Sequence, residues 1–152
     1  MGYIYSEQLQ SVGKFAEALE IVNQLSASDY RDIAIADLQV ALGSFDEIIT
    51  STENVVNEDD LSAVLLIFRG IALREKGFYE AAREALKSAH ASKKRSEDVL
   101  NFALFERAAC YEKEKKFSAA LKDLEKIMAT DSTYAGLTER IAALRERSTK
   151  QA

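Results

Sequence analysis

Side chains able to do chemistry are sparse in this sequence of 152 residues, and they are not grouped. His90 is the sole histidine, which removes histidine–histidine metal chelation, the His-Glu-x-x-His zinc motif and a histidine dyad. It falls near the end of a helical pattern, where a partly charged imidazole would meet favourable carbonyl dipoles, a structural duty. Cys110, also single, lies between Ala109 and Tyr111 with Arg107, Lys113 and Glu114 at helical contact spacing; a buried structural thiol is the expectation. The acidic groups Asp46-Glu47, Glu58-Asp59-Asp60 and Glu97-Asp98 fall where helices would begin. Carboxylates there favour the helix dipole, which accounts for them better than an acid–base pair or a calcium site. The six glycines are scattered, so there is no phosphate loop. These residues predict a protein that is not an enzyme and has no cofactor or metal.

Composition narrows the class further. Hydrophobic residues make up 47% and charged ones 30%, with the signs interspersed, the balance of a soluble globular domain. A net charge of −5 argues against nucleic acid, and the longest basic run, Lys93-Lys94-Arg95, falls between predicted helices as a solvated loop rather than a phosphate-binding site. The longest apolar run, Ala63 to Phe68, is far too short to span a bilayer, so no membrane is expected. One cysteine excludes an internal disulfide and favours a reducing, cytoplasmic setting. With no proline to break them, long helices joined by short turns are expected.

Those helices recur in a pattern. Gly13-Lys14-Phe15, Gly43-Ser44-Phe45, Gly77-Phe78-Tyr79 and Lys115-Lys116-Phe117 each open an amphipathic stretch, with the aromatics spaced by 30, 34 and 38 residues. Paired helices at a period near 34 are a solenoid spacing. Periodicity predicts nine helices, at about 3–12, 15–26, 29–42, 45–56, 60–76, 79–92, 96–115, 117–130 and 133–148. Ser28 or Asp29, Asp59 or Asp60, Ser96, and Asp131 or Ser132 are their candidate caps, and Gly13, Gly43 and Gly77 their left-handed ends. Charged residues at 113–116 and 139–150 read as solvated faces with intrahelical pairs.

The pattern resembles the tetratricopeptide repeat (TPR), across essentially the whole chain. The third unit supplies Leu66, Gly70, Leu73, Ala82 and Leu86, and the fourth Leu104, Ala108, Tyr111, Ala120 and Leu124. Arg69 and Arg107 stand where that family has Leu, and the terminal Pro is missing. The first two units are degenerate. The resemblance implies an all-α, right-handed superhelix of antiparallel pairs in one domain, with units at about 1–28, 29–58, 59–94 and 95–131 and a capping helix at 133–148. Gly70 would be a close-contact site between paired helices.

The same resemblance implies a concave groove lined by the first helix of each pair. On the fifth helix Val64, Ile67, Phe68 and Ile71 would face it; on the seventh, Phe102, Phe105, Glu106 and Ala109. The third adds Tyr30, Ile33 and Asp37, and the first Tyr3 and Glu7. No Lys or Arg stands at the centre of this row, which disfavours a clamp for a partner's carboxylate terminus. An amphipathic helix or extended apolar peptide fits better, although the same residues would also serve as contacts between repeats. The expected function is a noncatalytic protein-interaction scaffold. Self-association into a homo-oligomer is the structural alternative. The abrupt start at Tyr3 suggests a third, a regulatory fragment of a larger protein.

Overall fold

The computed structural model describes residues 2–151. Among them the fold is all-α, with nine helices: α1 Gly2–Ser11, α2 Phe15–Asn23, α3 Asp29–Leu42, α4 Phe45–Ser51, α5 Asp60–Glu75, α6 Tyr79–His90, α7 Glu97–Lys113, α8 Phe117–Thr130 and α9 Leu137–Gln151. Each packs on its neighbours in the chain, and α3–α5 and α5–α7 also touch. That serial packing is compatible with a solenoid.

The repeated motif builds a repeated turn. Lys14, Ser44, Phe78 and Lys116, which precede the four aromatics, have φ between −93° and −85° and ψ between 59° and 68°. Their N–H groups donate back to Leu9, Gln39, Leu73 and Tyr111 at 2.8–2.9 Å, closing the ends of α1, α3, α5 and α7. The closure needs a left-handed residue one position earlier. Gly13, Gly43 and Gly77 supply it, and in the fourth unit Lys115 adopts it at φ 61°.

The ends of α2, α4 and α6 are closed differently, through side chains from elsewhere. Arg31 donates to the carbonyls of Val22 and Asn23 on α2, and Arg69 to Ile49 on α4 at 2.7 Å. The Asn57 amide donates to Ser88 and Ala89 on α6. Each bond satisfies carbonyls that a helix end leaves open.

Several caps form as expected. Ser28 accepts from the Arg31 N–H, Asp59 and Ser62 make a reciprocal capping box, and Ser96 accepts from Val99. Two helix boundaries differ from the sequence reading by four residues or more. The fourth helix ends at Ser51 rather than near 56, because the buried Thr52 hydroxyl bonds back to the Ile48 carbonyl at 2.7 Å and also receives Arg69. Asp131 caps a turn, accepting from the Thr133 N–H and hydroxyl, so the ninth helix starts only after the left-handed Gly136.

The core lies between successive pairs. Its largest cluster joins Leu66, Ile67 and Ile71 to Ala36, Ile48 and Leu86, while Leu73, Ala82, Ala85 and Cys110 form a smaller neighbour. A Cβ added to Gly70 would lie 2.5 Å from Leu86 Cγ, so α5 and α6 meet as closely as their sequences suggest. The last cluster runs from Leu104 through Leu124 and Ile127 to Leu137, Ile141 and Leu144, which brings α9 onto α8. No described helix is long and apolar enough to cross a membrane.

Candidate functional site

Eight residues of the expected groove row converge. Tyr3 and Glu7 from α1, Tyr30, Ile33 and Asp37 from α3, Val64 and Phe68 from α5, and Phe102 from α7 line one cavity of about 380 Å³. Residues far apart in sequence meet there because α5 lies beside both α3 and α7, with α1 brought up by its packing on α2. Tyr3 and Tyr30 make an edge contact at 5.0 Å, and Phe68 and Phe102 another at 6.1 Å. Tyr30 is 55% exposed, whereas Phe68 is only 7% exposed and is mostly a wall. The charged lining consists of Glu7 and Asp37, and among the described residues their one polar tie is a 3.3 Å bond donated by Gln10 to Asp37. The cavity is therefore apolar with an acidic rim.

Ile67 and Ile71 do not reach it. Both are buried in the central cluster, because the face of α5 that carries them is covered by α3 and α7. Phe105, Glu106 and Ala109 lie instead along a second cavity of about 530 Å³, between α5, α7 and α9. Phe105 packs on Tyr134 at 5.2 Å and under the Arg140 guanidinium at 4.8 Å. The row thus divides into an apolar section and a charged one.

The charged section was not apparent in the sequence. Arg74 pairs with Glu106 and Glu75, while Arg140 and Arg147 both pair with Glu112 at 2.8 Å. Lys113 lines the same cavity and has no ion pair among the described residues. The pairs expected within α7 and α9 are instead made largely between helices; Lys150–Glu146 is an intrahelical exception. A charge pattern along a helix shows its spacing, but not which neighbour it will face. Arg74 and Glu106 being on different helices, 32 residues apart, only their packing reveals the pair.

Two single residues also find their places. Cys110 is fully buried, its thiol donating to the Tyr79 carbonyl at 3.4 Å, and burial together with nearby Glu114 pushes its pKa up to about 11. A thiol so protonated is a poor nucleophile. His90 departs from its expected role: burial and then the cations Arg107 and Lys126 hold its pKa below the ordinary value, so the imidazole is kept neutral rather than charged at the helix end. Comparison with protein-family models finds none that matches this chain, and comparisons with curated proteins and with solved structures likewise find no match.

Proposed function

We propose that this protein is a noncatalytic scaffold of TPR-like repeats that holds a peptide or amphipathic helix against the apolar cavity of α1, α3, α5 and α7. The observation that carries the reading is the convergence of aromatic and aliphatic side chains from four helices on one opening whose charged lining is acidic. Tyr30 and Tyr3 offer aromatic edges, and each apolar anchor a partner buries there would contribute about 1.5–3 kcal/mol. Glu7 and Asp37 select a segment in which those anchors alternate with Lys or Arg. The recurring turn of Lys14, Ser44, Phe78 and Lys116 supports the repeat assignment. A reducing, cytoplasmic setting accords with a lone, buried cysteine.

A synthetic helix of alternating Leu and Lys faces is the probe. It is expected to bind, with Asp37→Lys weakening it about tenfold or more and a Leu/Glu helix failing to bind. Undiminished binding to the Asp37→Lys, Glu7→Lys double variant would sink the reading. Asp37 and Glu7 are exposed, which makes them better probes than the buried Phe68.

Self-association is a second reading, favoured by the outer side of α1 and the turn after it, where Ile4 and Val12 are 61% and 67% exposed. Light scattering over a concentration series separates the two, because a persistent monomer excludes it.

A further inference from the structure

A third cavity, of about 380 Å³, opens among α6, α7, α8 and the loop after α6, and it shares no residue with the other two. Its charged lining is Lys93, Arg95, Lys126 and Glu97, a local balance of +2 in a chain whose net charge is −5. Lys93 and Lys126 have no ion pair among the described residues, while Arg95 is steadied by Asn57 at 2.8 Å. The run Lys93-Lys94-Arg95, read from sequence as a solvated loop, thus sends two of its three side chains to a cavity wall.

Asn101, in the same wall, supplies the independent observation. It is 3% exposed; its Oδ1 accepts from the Thr130 hydroxyl at 3.1 Å, and its Nδ2 is buried with no acceptor. Exchanging the two amide atoms would leave Oδ1 unmatched instead, so Thr130 satisfies only one end of the group in either orientation. In the orientation in which the Thr130 hydroxyl donates to Oδ1 rather than to the Ile127 carbonyl, the open end is a buried donor, and an anionic oxygen provides its acceptor. Leu100 and Leu104 complete the wall with apolar surface, and the volume well exceeds that of a bare oxyanion.

We infer that this cavity binds a phosphate monoester, its dianion held by Lys93, Lys126 and the Asn101 amide and its organic body resting on Leu100 and Leu104. Two lysines and an amide donor make charge-assisted bonds to a phosphate, and the +2 balance matches a dianion better than a single carboxylate. The inference is independent of the apolar cavity and stands whether or not a peptide binds there.

His90 lines the site and, as the sole histidine, gives one unambiguous imidazole NMR signal. It faces Arg107 and Glu97 on α7, Lys126 and Asp123 on α8, and Lys93 and Arg95 in the loop. A bound dianion offsets those cations, so the imidazole pKa should rise on binding. Phenyl phosphate is the probe. The expected result is a saturating shift of the His90 signal with a dissociation constant of about 1 mM or tighter, weakened about tenfold or more by Lys126→Glu at an exposed position. Asn101→Leu, which removes the donor at similar volume, should weaken it too. No saturating shift, unchanged affinity in Lys126→Glu, or equal binding of phenol would overturn the proposal. A tripeptide with a central phosphotyrosine tells the sources apart: binding as tight as phenyl phosphate points to a protein side chain, and exclusion of the tripeptide to a free small molecule.

Discussion

Arg69 and Arg107 stand the same distance ahead of Tyr79 and Phe117, but they solve different problems. Arg69 closes the carbonyl end of α4, whereas Arg107 holds Asp123 on its own partner helix through two bonds of 2.8 Å. Asp123 is 3% exposed, so without the guanidinium it would be a buried carboxylate with no counter-ion. The bond to Asp123 in turn raises the pKa of Arg107, against the burial that would lower it. Removing one member of such a pair is far costlier than removing both, because the desolvation penalty of the survivor is left uncompensated. Arg107→Leu is therefore expected to destabilise the fold by about 3–5 kcal/mol, and adding Asp123→Leu to recover most of that loss. Urea denaturation of the two single variants and the double variant checks this; additive losses would mean that the pair is not coupled.

At the scale of the helices, small residues decide how closely the pairs approach. Gly70 on α5 has Leu86 of α6 directly against it, and Leu86 is fully buried. Gly70→Ala would gain about 1 kcal/mol of helix propensity but force Leu86 off its position, at about 1–3 kcal/mol. The expected net effect is destabilisation, visible as a lower urea midpoint with an unchanged slope; a raised midpoint would show that α6 shifts freely. This contact was legible in the sequence because a glycine within a helix, one turn from Leu66 and Leu73, costs helix stability unless a neighbouring helix comes close there. So were the four aromatic-led turns, whose geometry is local. The C-terminal end of α4 and the start of α9 were not, since both depend on a side chain of a few atoms, Thr52 and Asp131, choosing a backbone partner. The apolar cavity was legible as a set of residues, but the burial of Ile67 and Ile71 depends on how α3 and α7 close over α5, which periodicity within α5 does not contain.

Among the described residues, contacts run chiefly from each helix to its neighbours in the chain, an arrangement compatible with a solenoid. The middle is the richest part: Ala63, Ile67, Ala72, Leu86, Ala108 and Leu124 are all fully buried. Toward the C-terminus, Leu137, Ile141 and Leu144 of α9 cover α8, while the opposite face of α9 is polar. On α1, by contrast, Leu9 is buried while Ile4 lies open to water, and α1 packs chiefly on the nine-residue α2. Short helices with few buried side chains open at a lower free energy than the rest. Native-state hydrogen exchange should therefore show protection rising from α1 and α2 to a maximum in α5 to α8. A peptide of alternating Leu and Lys faces, if it seats between α1 and α3 as proposed, should slow exchange in α1 more than in α8, because binding adds its free energy to the segments that open without it. Equal protection in every helix would mean that the chain unfolds as one unit, and that docking at α1 and α3 has no local looseness to remove.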